Sequence, residues 1–572
     1  MSENTIREGL AFLYGPEAGD RAFAAVRDKL AAFGRAAAAR PRAQTPLSER
    51  DAILITYGDM LREPGVAPLR TLAGFADARL DGVVSGVHVL PFYPYTSDDG
   101  FSVVDYRAVN PDLGGWEDVS ALGRRFSLMF DAVINHVSAS SHYFQGFLRG
   151  DPAWRNLAIV IDDPTDPRLA LVTRPRTLPL LTPFQTVDGV KQVWTTFSAD
   201  QIDLNYGSPA VLLEVLDVLL EYVRRGARLI RLDAIAFMWK TLGTPCVHLP
   251  QTHRIIQILR AALDEAAPGT VLITETNVPH ADNVSYFGDG TNEAQLVYNF
   301  ALPPLTVDAF RRGDARALTG WARTLRLPSG QTTFFNFLAS HDGIGLNPAR
   351  GILPEAEVLA LAAGTRARGG FVSDKAMPDG SRSPYEMNIN FMDAIAPDPS
   401  ASGPPRFAQR MIAAHAIMLA LQGVPGLYFH SLFGSRGWTE GVELLGYNRA
   451  VNREKLALSV LDAELADPGS LRRRVFDGLS ALLRARAAHP AFDPFSPQEV
   501  LDLGPAVFAV RRASQRDRVT CIVNVTDQAQ SVSVDLDNAS DIVTGQAIDV
   551  SDGILRLEPY QVIWASDAPR SS

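Results

Sequence analysis

Three carboxylates sit at or just after the ends of short apolar runs in this chain. Asp233 closes the run "RLIRLD" (228–233). Glu275 lies in "ITETN" (273–277), and Asp342 lies in "SHDGIG" (340–345), just after the run "TFFNFL" (333–338). One carboxylate at such a place is usually a helix cap or a surface residue. Three of them, with a cation two residues before one of them, ask for a chemical reading. Residues two apart on a strand point to the same side, so Arg231 and Asp233 share a face. A guanidinium beside a carboxylate favours its ionised form, which predicts a lowered pKa for Asp233, as a nucleophile requires. A second carboxylate within reach would then serve as the acid and base that trades a proton with the leaving group. Further polar candidates end other apolar runs: Asp98 and Asp99 in "PYTSDDGF", Asp131, Asn135 and His136 in "DAVINH", and His341 beside Asp342. Four aromatics lie close to these residues. Tyr93, Phe101, Trp194 and Phe237 could stack on the apolar face of a substrate, with core packing as the default for each.

The elements that must position these groups are legible as an alternation. Apolar runs of strand length occur at 52–56, 86–90, 127–135, 228–233, 271–276, 295–300, 333–338 and 426–430, and helical patterns separate most of them. Eight such units predict an α/β fold built on a (β/α)8 TIM barrel, whose active site lies at the C-terminal ends of its strands. Neighbouring barrel strands are ~4.8 Å apart, which puts Asp233 and Glu275 about 5–6 Å from each other, the separation of a pair that cleaves a glycosidic bond with retention. The catalytic barrel is assigned to residues 51–492. Two connections, 137–197 after the third strand and 343–404 after the seventh, are long enough to be inserted subdomains. Residues 1–50 form an N-terminal helical extension, with a helical period over 17–40. Residues 493–572, where the period changes to two, form a C-terminal antiparallel β-domain.

Composition excludes several classes. The chain has 572 residues, 46% hydrophobic and 21% charged, with a net charge of −10, so it is globular and has no basic stripe for nucleic acid. No apolar run is long enough to cross a bilayer, and the N-terminus does not have the pattern of a signal peptide. The two cysteines, Cys246 and Cys521, cannot build a metal site alone and fit a reduced, cytoplasmic setting. No metal cluster and no nucleotide loop is present, so neither a metal nor any other cofactor is expected, and the expected partners are small molecules. The oligomeric state is not legible.

Taken together, "DAVINH", "RLIRLDAIA", "ITETN" and "SHDGIG" resemble, in order, the four signature regions of the α-amylase superfamily. The resemblance covers nearly the whole chain after about residue 50. It implies Asp233 as nucleophile, Glu275 as general acid/base and Asp342 as the carboxylate that stabilises the transition state, with Arg231, His136 and His341 lining a glucose subsite and Phe101 and Phe237 as its walls. Asp98 is similar to the acidic residue that grips the far hydroxyls of glucose in the sucrose phosphorylase branch. "FALPPL", "GVPGLY", "GYNRAVNRE" and "TRPRTLPLLTPF" resemble segments of that branch, and the last implies that Arg176 reaches phosphate, for which a forked permanent cation is suited. Lys375, Arg382 and Arg449 are further cations in loops on the acceptor side. Where sucrose phosphorylases carry Tyr-Gln, this chain has Tyr385–Glu386, a departure that turns the reading away from sucrose. The longer segments "LPFYPYTSDDGFSVVDY", "VTRPRTLPLLTPFQT", "ITETNVPHADNVSYFG" and "FNFLASHDGIGLNPARGILPE" resemble the glucosylglycerate phosphorylases. The implied reaction is phosphorolysis of 2-O-α-D-glucosyl-D-glycerate to α-D-glucose 1-phosphate and D-glycerate, with inorganic phosphate as co-substrate. The alternatives are phosphorolysis of sucrose 6'-phosphate, sucrose or glucosylglycerol, a retaining α-glucoside hydrolase or transglucosylase, and a non-catalytic amylase-like subunit.

Overall fold

The computed structural model describes residues 2–36, 46–377, 381–396, 403–536 and 539–566. Its centre is a closed ring of eight parallel strands: β1 (Ile53–Thr56), β2 (Gly86–Val89), β3 (Ser127–Ala132), β4 (Ala227–Leu232), β5 (Val271–Thr274), β6 (Leu296–Tyr298), β7 (Thr333–Asn336) and β8 (Val424–Tyr428). Each strand pairs with its neighbours in chain order, and β1 closes the ring on β8. These strands are runs without alternation because both faces are dry. One side packs on the helices, and the other fills the barrel. Space inside is tight: a side chain at Gly426 of β8 would put its Cβ 2.4 Å from the Phe335 ring of β7. Helices Pro68–Arg79, Pro209–Arg224 and Pro250–Ala266 begin with proline, whose fixed φ suits a first helical turn and whose missing N–H is not needed there.

The N-terminal extension is two helices, α1 (Ser2–Tyr14) and α2 (Pro16–Ala36), where the period predicts one from residue 17. The break is Gly15, at φ +79°, followed by a proline. Residues 37–40 of the expected helix lie outside the described residues. Both helices lie on the outer face of the barrel. Gly9 of α1 lets the helix approach Ile258, where a Cβ would come within 2.7 Å. Tyr14 donates to the Tyr206 carbonyl (3.0 Å), and Lys29 pairs with Asp217.

The first insertion contains helix His142–Leu148 and a three-stranded antiparallel sheet of Val160–Ile161, Gly189–Trp194 and Leu181–Thr186. The second contains helix Glu355–Ala367 and a sheet of Ile344–Gly345, Arg382–Asn388 and Phe371–Ala376. Residues 378–380 and 397–402 of that insertion lie outside the described residues. Beyond the barrel, strands Gln498–Asp502, Val507–Ala513, Arg518–Asn524 and Val562–Ser566 form an antiparallel sheet, edged by Ser540–Asp541. A second antiparallel sheet packs over it. Among the described residues no helix is long and apolar enough to cross a membrane.

Candidate active site

The register of β4 on β5 pairs Leu232 with Thr274, so the next residues, Asp233 and Glu275, leave the sheet side by side. The Glu275 amide donates to the Leu232 carbonyl (3.1 Å) and the Asp233 amide to the Ala132 carbonyl (3.1 Å). Both carboxylates are thus fixed by backbone bonds to the neighbouring strand. The chain then turns through Ala234 at φ +51°, a left-handed conformation that is costly for a residue with a Cβ. This turn aims the Ala234 N–H at Glu275 Oε2 (3.2 Å).

Arg231 joins three carboxylates. Its Nη1 donates to Asp131 Oδ1 and to Asp233 Oδ1 (2.9 Å), and its Nη2 lies 3.7 Å from Glu275 Oε2. The guanidinium is buried between the rings of Phe101 and Tyr298. His88 of β2 lies behind it, with Nε2 2.7 Å from Asp131 Oδ2 and both side chains fully buried. Burial would raise Asp131, but Arg231 and His88 outweigh it and hold the carboxyl below its ordinary range. Burial lowers the His88 imidazole, so it is neutral and donates. The expectation for Asp233 needs correction. Burial drives its carboxyl well up, and the charges of Glu275, Asp131 and Asp342 push the same way. Arg231 opposes them but is shared with Asp131 and does not prevail. Burial raises Glu275 as well.

Around this core the expected sugar-binding residues converge. Asp98, Phe101, His136, Phe237, His341, Asp342 and Tyr385 line one pocket with the two carboxylates. Phe101 stacks face to face on His341, with centroids 4.6 Å apart and planes within 4°. His136 Nε2 is fixed against the Phe101 carbonyl (2.9 Å). Burial lowers both imidazoles, which are therefore neutral. Asp98 sits at φ +51° in a tight turn. Burial would raise its carboxyl, but Arg176, Arg453 and Arg449 hold it below the usual range. Tyr93 and Trp194 are elsewhere: Tyr93 stacks on Tyr222 in the core (5.2 Å), and Trp194 fills the small core of the first insertion.

Above the pocket a chamber of about 560 Å³ opens between the two insertions. Arg176, Tyr385, Glu386, Arg449 and Arg382 line it. Arg176 reaches Asp98 (3.2 Å), and Arg449 reaches Asp342 (2.5 Å) and Glu386 (2.7 Å). Lys375 turns to the Asn347 side chain instead (3.1 Å) and does not line the chamber.

Several groups escaped the reading of the sequence. Arg453 is 1% exposed, donates to the His341 carbonyl (3.0 Å) and approaches Asp98 (3.4 Å) and Asp342 (3.6 Å). It lies in "GYNRAVNRE", from which only Arg449 was singled out. Gln201, Asn277 and Phe300 also line the pocket. Lys240 is buried, with its ammonium 2.6 Å from Asp203 Oδ2, 3.3 Å from Asn135 Oδ1 and in contact with the Phe237 carbonyl. These oxygens converge on an amino-acid cation. Among the described residues no group of three or more His, Cys, Asp or Glu side chains is arranged to hold a metal.

Residues 82–342 match the family model for the α-amylase catalytic domain, and residues 504–565 match the model for the C-terminal immunoglobulin-like domain of D-apionate lactonase. The chain is 50% identical over 563 residues to a glucosylglycerate phosphorylase of Allomeiothermus silvanus, covering 98% of each chain. It is 47% identical over 518 residues to a glucosylglycerate phosphorylase of Escherichia coli, covering 90% of this chain and 92% of that one. In fold it is similar to the crystal structure of sucrose 6F-phosphate phosphorylase from Thermoanaerobacter thermosaccharolyticum, with a TM-score of 0.73 at 23% identity over 85% of this chain and 95% of that one.

Proposed function

We propose a reaction for a chain that belongs to the α-amylase superfamily and, within it, to the glucosylglycerate phosphorylases. It is a retaining glycoside phosphorylase that converts 2-O-α-D-glucosyl-D-glycerate and phosphate to α-D-glucose 1-phosphate and D-glycerate. The observation that carries the chemistry is the placement of Asp233 and Glu275 on neighbouring strand ends, with Arg231 touching the first at 2.9 Å and the second at 3.7 Å.

In the first step the Asp233 carboxylate attacks the anomeric carbon and the bond from that carbon to O2 of glycerate breaks. The proton of Glu275 passes to O2, and D-glycerate leaves. A β-glucosyl ester of Asp233 remains. In the second step an oxygen of phosphate attacks the anomeric carbon, its proton returns to Glu275, and Asp233 is released. Two inversions give net retention. Burial makes both carboxyls hold a proton more tightly. The first step needs the proton on Glu275 and Asp233 ionised; Arg231, nearer to Asp233 (2.9 Å) than to Glu275 (3.7 Å), favours that distribution against the burial that raises Asp233 the more.

The charge that develops on the sugar ring in each transition state lies near Asp342, which the pocket shares with both catalytic groups. Asp98, His136 and His341 line the pocket and present the acceptors and donors that a glucose ring requires, with Phe101 as an apolar wall and Arg453 held behind Asp98 and His341. Glycerate and phosphate are both anions and enter by the same chamber, where Arg176 and Arg449 supply forked cations.

The test is release of α-glucose 1-phosphate in the presence of phosphate from a panel of donors: glucosylglycerate, glucosylglycerol, sucrose and sucrose 6'-phosphate. Release from glucosylglycerate alone is the expected result. Release from another donor would overturn the acceptor, and glucose without glucose 1-phosphate would overturn phosphorolysis.

A further inference from the structure

Glu386 is 2% exposed, yet it is an acid in the wall of a site that must receive acids. Arg449 meets it with two parallel bonds, Nε to Oε1 at 3.0 Å and Nη2 to Oε2 at 2.7 Å. The Gly343 amide adds a third donor to Oε1 (3.3 Å). Gly343 also makes the seat: a Cβ there would stand 2.6 Å from Glu386 Cγ and 2.7 Å from Oε1. The partners come from three separate segments. Glu386 lies on the strand Arg382–Asn388, Arg449 in the turn Asn448–Asn452 and Gly343 after β7.

This arrangement uses one edge of the guanidinium and leaves one corner. That corner, Nη1, lies 2.5 Å from Asp342 Oδ1, and Arg449 lines both the sugar pocket and the outer chamber. Nη1 therefore stands at the junction where an acceptor oxygen must meet the anomeric carbon. Two bonds to Glu386 hold Arg449 side-on and keep the fork from closing on Asp342 with both arms, which would seal the sugar pocket. A buried ion pair adds little stability over apolar residues of similar volume, and orientation is what such a pair is suited to supply.

We propose that the Glu386–Arg449 pair is the specificity device of the acceptor site, which selects a 2-hydroxy acid over a neutral polyol. This deepens the function proposed above and rests on it. With the ring of glucose on Asp342, Nη1 loses its carboxylate partner. The carboxylate of glycerate, one bond from the carbon that carries O2, replaces that partner. The hydroxymethyl group of glycerol in the same place offers Nη1 no anion, and a site built to bond a charged group rejects analogues that leave its donor unpaired. Glu386 is a positioning residue that acts through Arg449.

The experiment runs the reaction towards synthesis, with α-glucose 1-phosphate as donor and D-glycerate or glycerol as acceptor, for the wild type, Glu386→Gln, Arg449→Gln and the double variant. The ratio of the two kcat/KM values is read, because the amount of folded enzyme cancels from it. Each single variant is expected to lower the glycerate-to-glycerol ratio at least about tenfold, through KM for glycerate. The double variant is expected to fall no further than the worse single, as for residues acting as one unit. Glu386→Gln keeps the shape of the side chain and the whole of Arg449, so its effect isolates the positioning. A Glu386→Gln ratio that stays near the wild-type value, a parallel fall with both acceptors, or additive single effects would each overturn the inference. If the wild type releases no glucose 1-phosphate from glucosylglycerate, the proposed function falls and takes the inference with it. If the wild type does release it and the ratio does not move, the inference falls alone.

Discussion

Lys240 offers a measurable test of how the barrel holds its first insertion. Its ammonium, 4% exposed, lies 2.6 Å from Asp203 Oδ2, which is fully buried. At an effective dielectric constant of about 20, that contact is worth ~6 kcal/mol of Coulomb attraction, most of it offset by the cost of taking both charges out of water. Replacement by methionine keeps the stem of the side chain and strands the carboxylate. Breaking a buried pair in this way costs ~3–5 kcal/mol. Asp203 retains the Thr196 amide (2.7 Å) and hydroxyl (2.7 Å) as donors, which places the expectation at the lower end, ~3 kcal/mol. With an unfolding entropy of about 2.1 cal/mol/K per residue spread over a barrel of roughly 440 residues, that loss lowers Tm by ~3 °C. The charge argument makes a second demand: Asp203→Asn placed on top of Lys240→Met must recover most of the loss, because no anion is then stranded. Differential scanning calorimetry of the wild type, the single variant and the double variant measures both. A double variant less stable than the single, or a single variant with unchanged Tm, would refute the reasoning. Lys240 also bonds the Phe237 carbonyl and Asn135, so KM for the glucoside should rise in the single variant.

Other outcomes follow from the charges at and away from the site. Asp233→Asn should reduce phosphorolysis at least about 10⁴-fold and at the same time raise Tm, because burial disfavours the native carboxylate; a lowered Tm would contradict the upward shift of Asp233. Glu275 must be protonated to act in the first step and its carboxyl is raised by burial, so the profile of kcat/KM against pH should lose activity on a basic limb above the ordinary carboxylate range of about 4.3; a limb at that ordinary value would refute the assignment. Away from the site, burial pushes Asp308 up to about 6. Its folded state therefore binds the proton more tightly than the unfolded state, and the chain loses stability as pH rises from about 4 through 6. Asp308→Asn should raise Tm at pH 7.5 and leave it unchanged at pH 4, which thermal melts at the two values decide.

The barrel was readable because its strands are dry on both sides. "ILIT", "GVHV" and "VLIT" stand out as short apolar runs, and the polar residues that end them mark the catalytic face. The alternation of helix and strand then fixed the order of the ring, and Asp233, Glu275 and Asp342 could be brought together from motifs alone. Cross-chain geometry was not readable. Glu386 and Arg449 are 63 residues apart, and no local pattern announces their pairing. Arg453 was hidden beside Arg449 in the same motif, since nothing in the spacing says which arginine faces inward. The direction of the pKa shift of Asp233 was misjudged for a related reason. The sequence shows its cation two residues away but not the burial, nor Asp131 competing for the same guanidinium. The break at Gly15 was overlooked because helical periodicity on one side of it is strong enough to draw attention from the other.

The sharing of Arg231 between Asp131 and Asp233 has a bearing on how long the covalent intermediate lives. In the proposed mechanism Asp233 loses its charge on becoming an ester, and a guanidinium paired with it alone would be left as an isolated ion in the dry floor of the site. Such an ion would add several kcal/mol to the glucosyl-enzyme and drive it back to substrate. Asp131, secured by His88, remains as counter-ion throughout. The intermediate can therefore wait for phosphate, and the enzyme can let one anion depart before the next arrives.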